Sequence, residues 1–309
     1  MKATATGGSR STLKRLAVAS LLANVVIVVT GGAVRLTSSG LGCPTWPRCT
    51  EESFVVHGEL GWHGAIEFGN RMLTLVLAAI AILTWWATIR YRPKRRSLRV
   101  LATVLALGIP AQAMLGGVTV LTGLNPWTVS LHLLLSMAMI AVAVAFVRRI
   151  DEGDAPPRLT VPSSVALLVQ ALFATAWAVL YVGTLVTGAG PHAGDTDSPR
   201  NGLNPAAMSQ LHADLVFILI GLTVGALMAL RAVDAPRRTQ RAVVLLLVIE
   251  LAQGLLGFVQ YVTDLPVVLV ALHLLGASLV SAAATNVLLA IRTRVEEPAL
   301  VIAVDRLRT

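Results

Sequence analysis

Charge is scarce in this sequence. Asp, Glu, Lys and Arg make up 13% of its 309 residues, where an ordinary soluble domain carries about 25%. Hydrophobic residues make up 55%, and mean hydropathy is +0.75. This excludes a soluble globular domain and leaves an integral membrane protein. Runs of roughly 20 apolar residues, enough to cross a hydrocarbon core of about 30 Å as helices, lie near 13–34, 63–89, 98–120, 128–148, 164–187, 208–231, 241–262 and 267–291. The expected fold is all-α, with eight transmembrane helices.

Acidic residues are fewer still, 16 against 25 basic, for a net charge of +9. Of the 25 basic residues, 21 fall at the N-terminus (Lys2, Arg10, Lys14, Arg15), at 90–99, 148–158 and 231–241, and in the C-terminal tail. Lys and Arg in short loops stay on the cytoplasmic side, so both termini are expected there. The excess attracts anionic membrane lipid and is not a nucleic-acid footprint. The first residues are basic and acid-free like an organellar transit peptide, but they abut the first span, so the expected location is a bacterial inner membrane.

One segment occurs twice. QAMLGGVTVLTGLNPWTVSLH, Gln112 to His132, returns 141 residues later as QGLLGFVQYVTDLPVVLVALH, Gln253 to His273, with nine of 21 positions identical. Spans 3–4 thus match spans 7–8 in the same direction, the mark of two four-helix bundles built on one plan as parallel repeats. A shorter echo, VVTGGAVR against LVTGAGPH, closes spans 1 and 5. The polar, Pro-containing stretch at 151–163 divides the chain into halves 1–150 and 151–309, packed as one domain.

Histidine is absent from every cytoplasmic segment. His63, His132, His212 and His273 lie within about two turns of the starts of spans 2, 4, 6 and 8, all on the outer face; His57 and His192 lie in outer loops. A lone membrane histidine is readily satisfied by a neighbouring carbonyl, whereas four at one depth, two per half, read as ligands. Zinc or copper sites gather ligands around one point, commonly with thiolates or carboxylates. Histidines on facing helices, with apolar walls and Gly116, Gly117 and Gly257 beside them, instead suit the axial positions of haem iron, one site per half.

The halves differ on span 2, where His63, Glu67, Asn70 and Arg71 share a helical face. Near His212 there is only Asp214. A carboxylate inside a membrane is usually functional, which makes Glu67 a candidate catalytic group; the bland alternative is a structural ion pair with Arg71. The two cysteines, Cys43 and Cys49, fall in the outer loop after span 1, where a disulfide closing a short loop is favoured; a redox couple is the other reading.

SGLGCPTWPRC in that loop, EFGNR on span 2, Leu-His on spans 4 and 8, the histidine of span 6 and the duplicated eight-span plan together resemble the haem A synthase family, from about Leu13 to Arg292. The resemblance implies oxidation of a ring methyl of haem O to a formyl group, giving haem A for cytochrome oxidase. It implies His212 and His273 as ligands of a resident haem b, His132 as a ligand of the substrate haem O, and Glu67 in proton handling or substrate positioning. It also implies an external electron donor; haem O synthase, oxidase assembly factors and further copies of the chain are candidate partners. One position departs from the family pattern Glu-x-x-His-Arg: here Asn70 stands where a ligand is expected. Either His63, two turns or about 10 Å nearer the surface, replaces it, or the substrate iron keeps one position open. A di-haem cytochrome that only relays electrons is the alternative reading. A transporter is a further one, against which the spans carry no paired Gly/Pro breaks.

Overall fold

The computed structural model describes residues 9–56, 61–192, 194–195 and 197–294; His57 lies outside them. Within these residues the chain forms α1 (Arg10–Leu36), α2 (Gly61–Arg90), α3 (Arg96–Leu121), α4 (Pro126–Asp151), α5 (Ser163–Ala189), α6 (Pro205–Ala232), α7 (Arg237–Val262) and α8 (Val267–Ala290). All eight are long and apolar enough to cross a membrane, and the protein is a multi-pass, all-helical membrane protein. Helix starts follow local chemistry. Asn125 and Asn204 cap α4 and α6 by accepting from Trp127 and Ala207 N–H, and each is followed by a proline whose missing N–H costs nothing in a first turn.

Packing closes two rings. In the first, α1 packs on α2, α2 on α3, α3 on α4 and α4 back on α1; in the second, α5 to α8 do the same. Helices α2 and α4 therefore face each other across one bundle, and α6 and α8 across the other. Between the rings, α4 packs on α8, α1 on α8 and α4 on α5, a set that maps onto itself when the halves are exchanged. Val28, Met137, Ile140 and Leu180 form the core of this seam, and Ser281 Oγ donates to the Met137 carbonyl across it at 2.9 Å.

The burial pattern gives the register of the repeat. Buried Leu77, Ala81, Thr84 and Thr88 of α2 return 142 positions later as Leu219, Thr223, Ala226 and Leu230 of α6. Leu98, Ala102, Leu105 and Ile109 of α3 return 141 positions later as Thr239, Val243, Leu246 and Glu250. Leu13, Ala17, Ser20, Asn24, Val28 and Gly32 of α1 return 152 positions later as Val165, Val169, Leu172, Ala176, Leu180 and Thr184. The VVTGGAVR and LVTGAGPH echo pairs Thr30 with Thr187, five residues out of this register; in the folded chain Gly31 corresponds to Gly183.

At the end where odd-numbered helices begin, the linker between the halves is tied down. A two-residue strand β1 (Arg158–Leu159) pairs antiparallel with β2 (Arg292–Thr293). Asp151 bridges Arg10 and Lys14, and Asp154 accepts from Arg95 and from the Ser97 hydroxyl and N–H. Burial raises the Asp154 carboxyl, but these bonds outweigh it and hold it below the ordinary carboxylate range. A depressed folded value means the contribution is present above the ordinary Asp range and fades as pH falls through the folded value. Asp154→Asn should therefore lower the unfolding temperature in detergent at neutral pH, and the difference from the unsubstituted protein should fade as pH falls through and below the ordinary Asp range.

Candidate functional site

At the opposite end, histidines of the even-numbered helices point into the bundles. His212 of α6 and His273 of α8 approach across the second ring with ring centroids 6.4 Å apart and planes at 65°. Two metal–imidazole bonds of about 2 Å, plus roughly 1 Å from ring nitrogen to ring centre on each side, span about 6 Å, so one iron fits between them. Each imidazole lies against a glycine on a neighbouring helix. A Cβ added at Gly183 would stand 3.1 Å from His212 Cε1, and one at Gly257 would stand 3.3 Å from His273 Cε1. Nδ1 is buried without a hydrogen-bond partner in both rings, although the Val179 carbonyl lies close enough to act on His212. Gln253 Nε2 donates to the His273 carbonyl at 2.8 Å and steadies that turn of α8.

His132 repeats this arrangement in the first ring. Gly116, 141 positions before Gly257, faces it at 3.3 Å from a would-be Cβ, and Gln112 Nε2 reaches the His132 carbonyl at 3.3 Å. Across the bundle, the α2 position equivalent to His212 is Asn70. A Cβ at Gly31, the equivalent of Gly183, would lie 3.9 Å from Asn70 Nδ2, and the Thr30 hydroxyl bonds Asn70 Oδ1 at 2.8 Å. There are thus four equivalent stations, of which three hold histidine and one holds asparagine.

His63 is not at a station. It lies two turns before Asn70, half-buried, with Nδ1 3.0 Å from the Ser39 hydroxyl and its ring against Trp62. Gly42 packs on the His63 backbone so closely that any side chain there would meet it. His63 belongs to the base of the loop that follows α1. His192 lies in the loop after α5, where its carbonyl accepts from Arg35 Nε at 2.6 Å.

Glu67 supports the same loop. The residue is 5% exposed; Oε2 accepts the Cys43 N–H at 2.7 Å, and Oε1 accepts from Arg71 Nη2 and Nε at 2.5 and 3.2 Å. Arg71 also donates to the carbonyls of Cys43, Thr45 and Arg48. The Cys43 and Cys49 sulfurs are at disulfide distance, and Trp46, between them, packs onto Gly117 of α3. The loop is folded down over the first bundle on a buried ion pair, and the backbone groups that this turn would otherwise strand are satisfied. Arg35 fastens it sideways, donating to Thr187 and His192 carbonyls of the second half, while the Gly40 N–H donates to the Gly194 carbonyl at 2.9 Å. The Arg71 contacts were not legible in the chain; the only signal was the i,i+4 spacing of Glu67 and Arg71.

Among the described residues no three His, Cys, Asp or Glu side chains converge as a metal site; His212 and His273 face each other across one bundle axis, the geometry of axial haem ligation, and His132 stands opposite Asn70 in the other. The sequence profile of the COX15-CtaA family of cytochrome oxidase assembly proteins matches residues 14–65 and 62–285. The chain belongs to this family. Among its relatives are proteins named heme A synthase from Bacillus cereus (strain AH187) and Bacillus anthracis (strain CDC 684 / NRRL 3495), each 26% identical over 208 residues. The match covers 65% of this chain and 65% of each relative. Family membership implies haem binding, and the paired imidazoles fit it.

Proposed function

We propose that this member of the cytochrome oxidase assembly family is a haem A synthase of the bacterial inner membrane, with both termini cytoplasmic, that oxidises a methyl group of haem O to a formyl group by successive hydroxylations, with dioxygen as the oxidant and an external donor supplying the electrons that reduce it. The observation that carries this reading is the inequality of the two bundles: one has a complete histidine pair, and the other has one histidine under a loop held by buried Glu67. A relay cytochrome has use for two complete pairs, whereas an enzyme acting on haem needs one substrate haem less firmly ligated than the resident one.

In this reading residues 151–309 form the resident-haem half, where His212 and His273 hold haem b. Held by these two imidazoles, haem b would supply one-electron transfer from an external donor. Gln253 and the Gly183 and Gly257 walls fix the planes of the two imidazoles, and apolar packing excludes water from them. Residues 1–150 form the substrate half, where His132 takes haem O and Glu67 positions the substrate or handles protons beside it. A disulfide between Cys43 and Cys49 keeps the loop compact enough for Arg71 to reach three of its carbonyls. Haem O synthase and oxidase assembly factors are natural neighbours, because substrate and product are too apolar to cross water freely.

His132→Ala separates the halves. Membranes carrying it should retain the low-spin resident haem and lose haem A formation by at least about 100-fold, since loss of a partner behind a ligand alone costs 10–100-fold. Undiminished haem A formation would remove His132 from the substrate site.

A further inference from the structure

The four stations differ at one place, and the difference is built rather than casual. Where α6 carries His212, α2 carries Asn70; where α5 carries Val182 beside Gly183, α1 carries Thr30 beside Gly31. The Thr30 hydroxyl donates to Asn70 Oδ1 at 2.8 Å, the shortest of its three acceptors, the others being the Val26 and Ile27 carbonyls of its own helix at 3.1 and 3.3 Å, so the amide is seated by a hydroxyl that the second half replaces with a methyl group. With Oδ1 engaged, Nδ2 is the group left to donate, and no hydrogen bond to it is formed among the described residues. His63 cannot fill the station, because it is two turns, about 10 Å, further out along α2. On the other side, His132 is placed like His273, against its own glycine and with its carbonyl held by a glutamine.

Resting on the reading of the first half as the haem O half, we propose that haem O is bound there through His132 alone. Asn70 then occupies the opposite side without ligating iron and offers its amide N–H to whatever small ligand takes the open position. An amide nitrogen has no lone pair for iron, and an amide oxygen engaged by Thr30 is a weak ligand beside imidazole. A catalytic metal keeps a free position, and a neutral donor above it stabilises a bound anion or polarised diatomic ligand without competing for the metal. Asn70 is in this sense a determinant of coordination number.

The test uses the full-length protein in detergent, purified with its resident haem and titrated with ferric haem O. Paramagnetic resonance counts the spin states, and cyanide titration reports the open position. The expected result is one low-spin haem that ignores cyanide and, after loading, one high-spin haem that binds it. Asn70→His should turn the second signal low-spin and abolish cyanide binding there. Asn70→Ala should leave it high-spin and weaken cyanide about fivefold, the worth of one hydrogen bond. Two low-spin haems in the unsubstituted protein, or Asn70→Ala binding cyanide unchanged, would overturn the assignment. Failure to take up haem O, with no difference between the unsubstituted protein and His132→Ala, would overturn the substrate-half reading itself and this proposal with it.

Discussion

Replacing His273 or His212 by alanine should strip the haem from the second half. Their imidazoles stand 6.4 Å apart on helices at opposite corners of the ring, and Gln253 of the neighbouring α7 is already bonded to the His273 carbonyl. Loss of one of two axial ligands exceeds the 10–100-fold that loss of a supporting contact costs, and resident haem should fall to below about a tenth of normal. The helices themselves should survive, because the core of the second half, around Val169, Leu172, Val243 and Leu246, lies away from the histidines. Haem absorbance per protein, with helicity by circular dichroism as control, reads this directly. Full low-spin haem in His273→Ala would refute the pairing.

The second large effect belongs to Glu67 and Arg71, and the two substitutions should fail differently. Glu67→Gln keeps an oxygen for the Cys43 N–H but removes the charge; if Glu67 handles protons, haem content stays near normal while product falls by about 100-fold or more, the usual worth of a positioned acid or base. Arg71→Ala leaves a buried carboxylate without its cation and three loop carbonyls without a donor. Breaking a buried pair in this way costs about 3–5 kcal/mol, so the loop should detach and Cys43 and Cys49 should become accessible to reductant and alkylating agents. Unchanged product in Glu67→Gln, together with a loop that opens as in Arg71→Ala, would reduce Glu67 to the structural partner of Arg71.

The eight spans were legible because each carries its own apolar length, and the His132 and His273 pair because the segment before each histidine is repeated at one spacing. The asparagine station was only half legible. Asn70 stood out as a departure, but its equivalence to His212 depends on register, and the offset between halves changes from 152 in the first helices to 142 and 141 further on, because the loop holding the cysteines is longer than its counterpart. The Val-Thr-Gly echo, five residues out of step, hid the correspondence of Gly31 with Gly183. The grip of Arg71 on Cys43, Thr45 and Arg48 joins residues 23 to 28 positions apart through a loop with no periodic pattern, and only the folded chain brings it together.

Haem A synthase activity is tested most directly by expressing the chain in a membrane host that makes haem O but no haem A, and chromatographing the extracted haems. Haem A should appear with the protein, be absent without it, and be absent with His132→Ala. Protein that carries haem b while haem O passes through unaltered, in a host with a competent electron donor, would contradict a synthase and make the two bundles an electron relay.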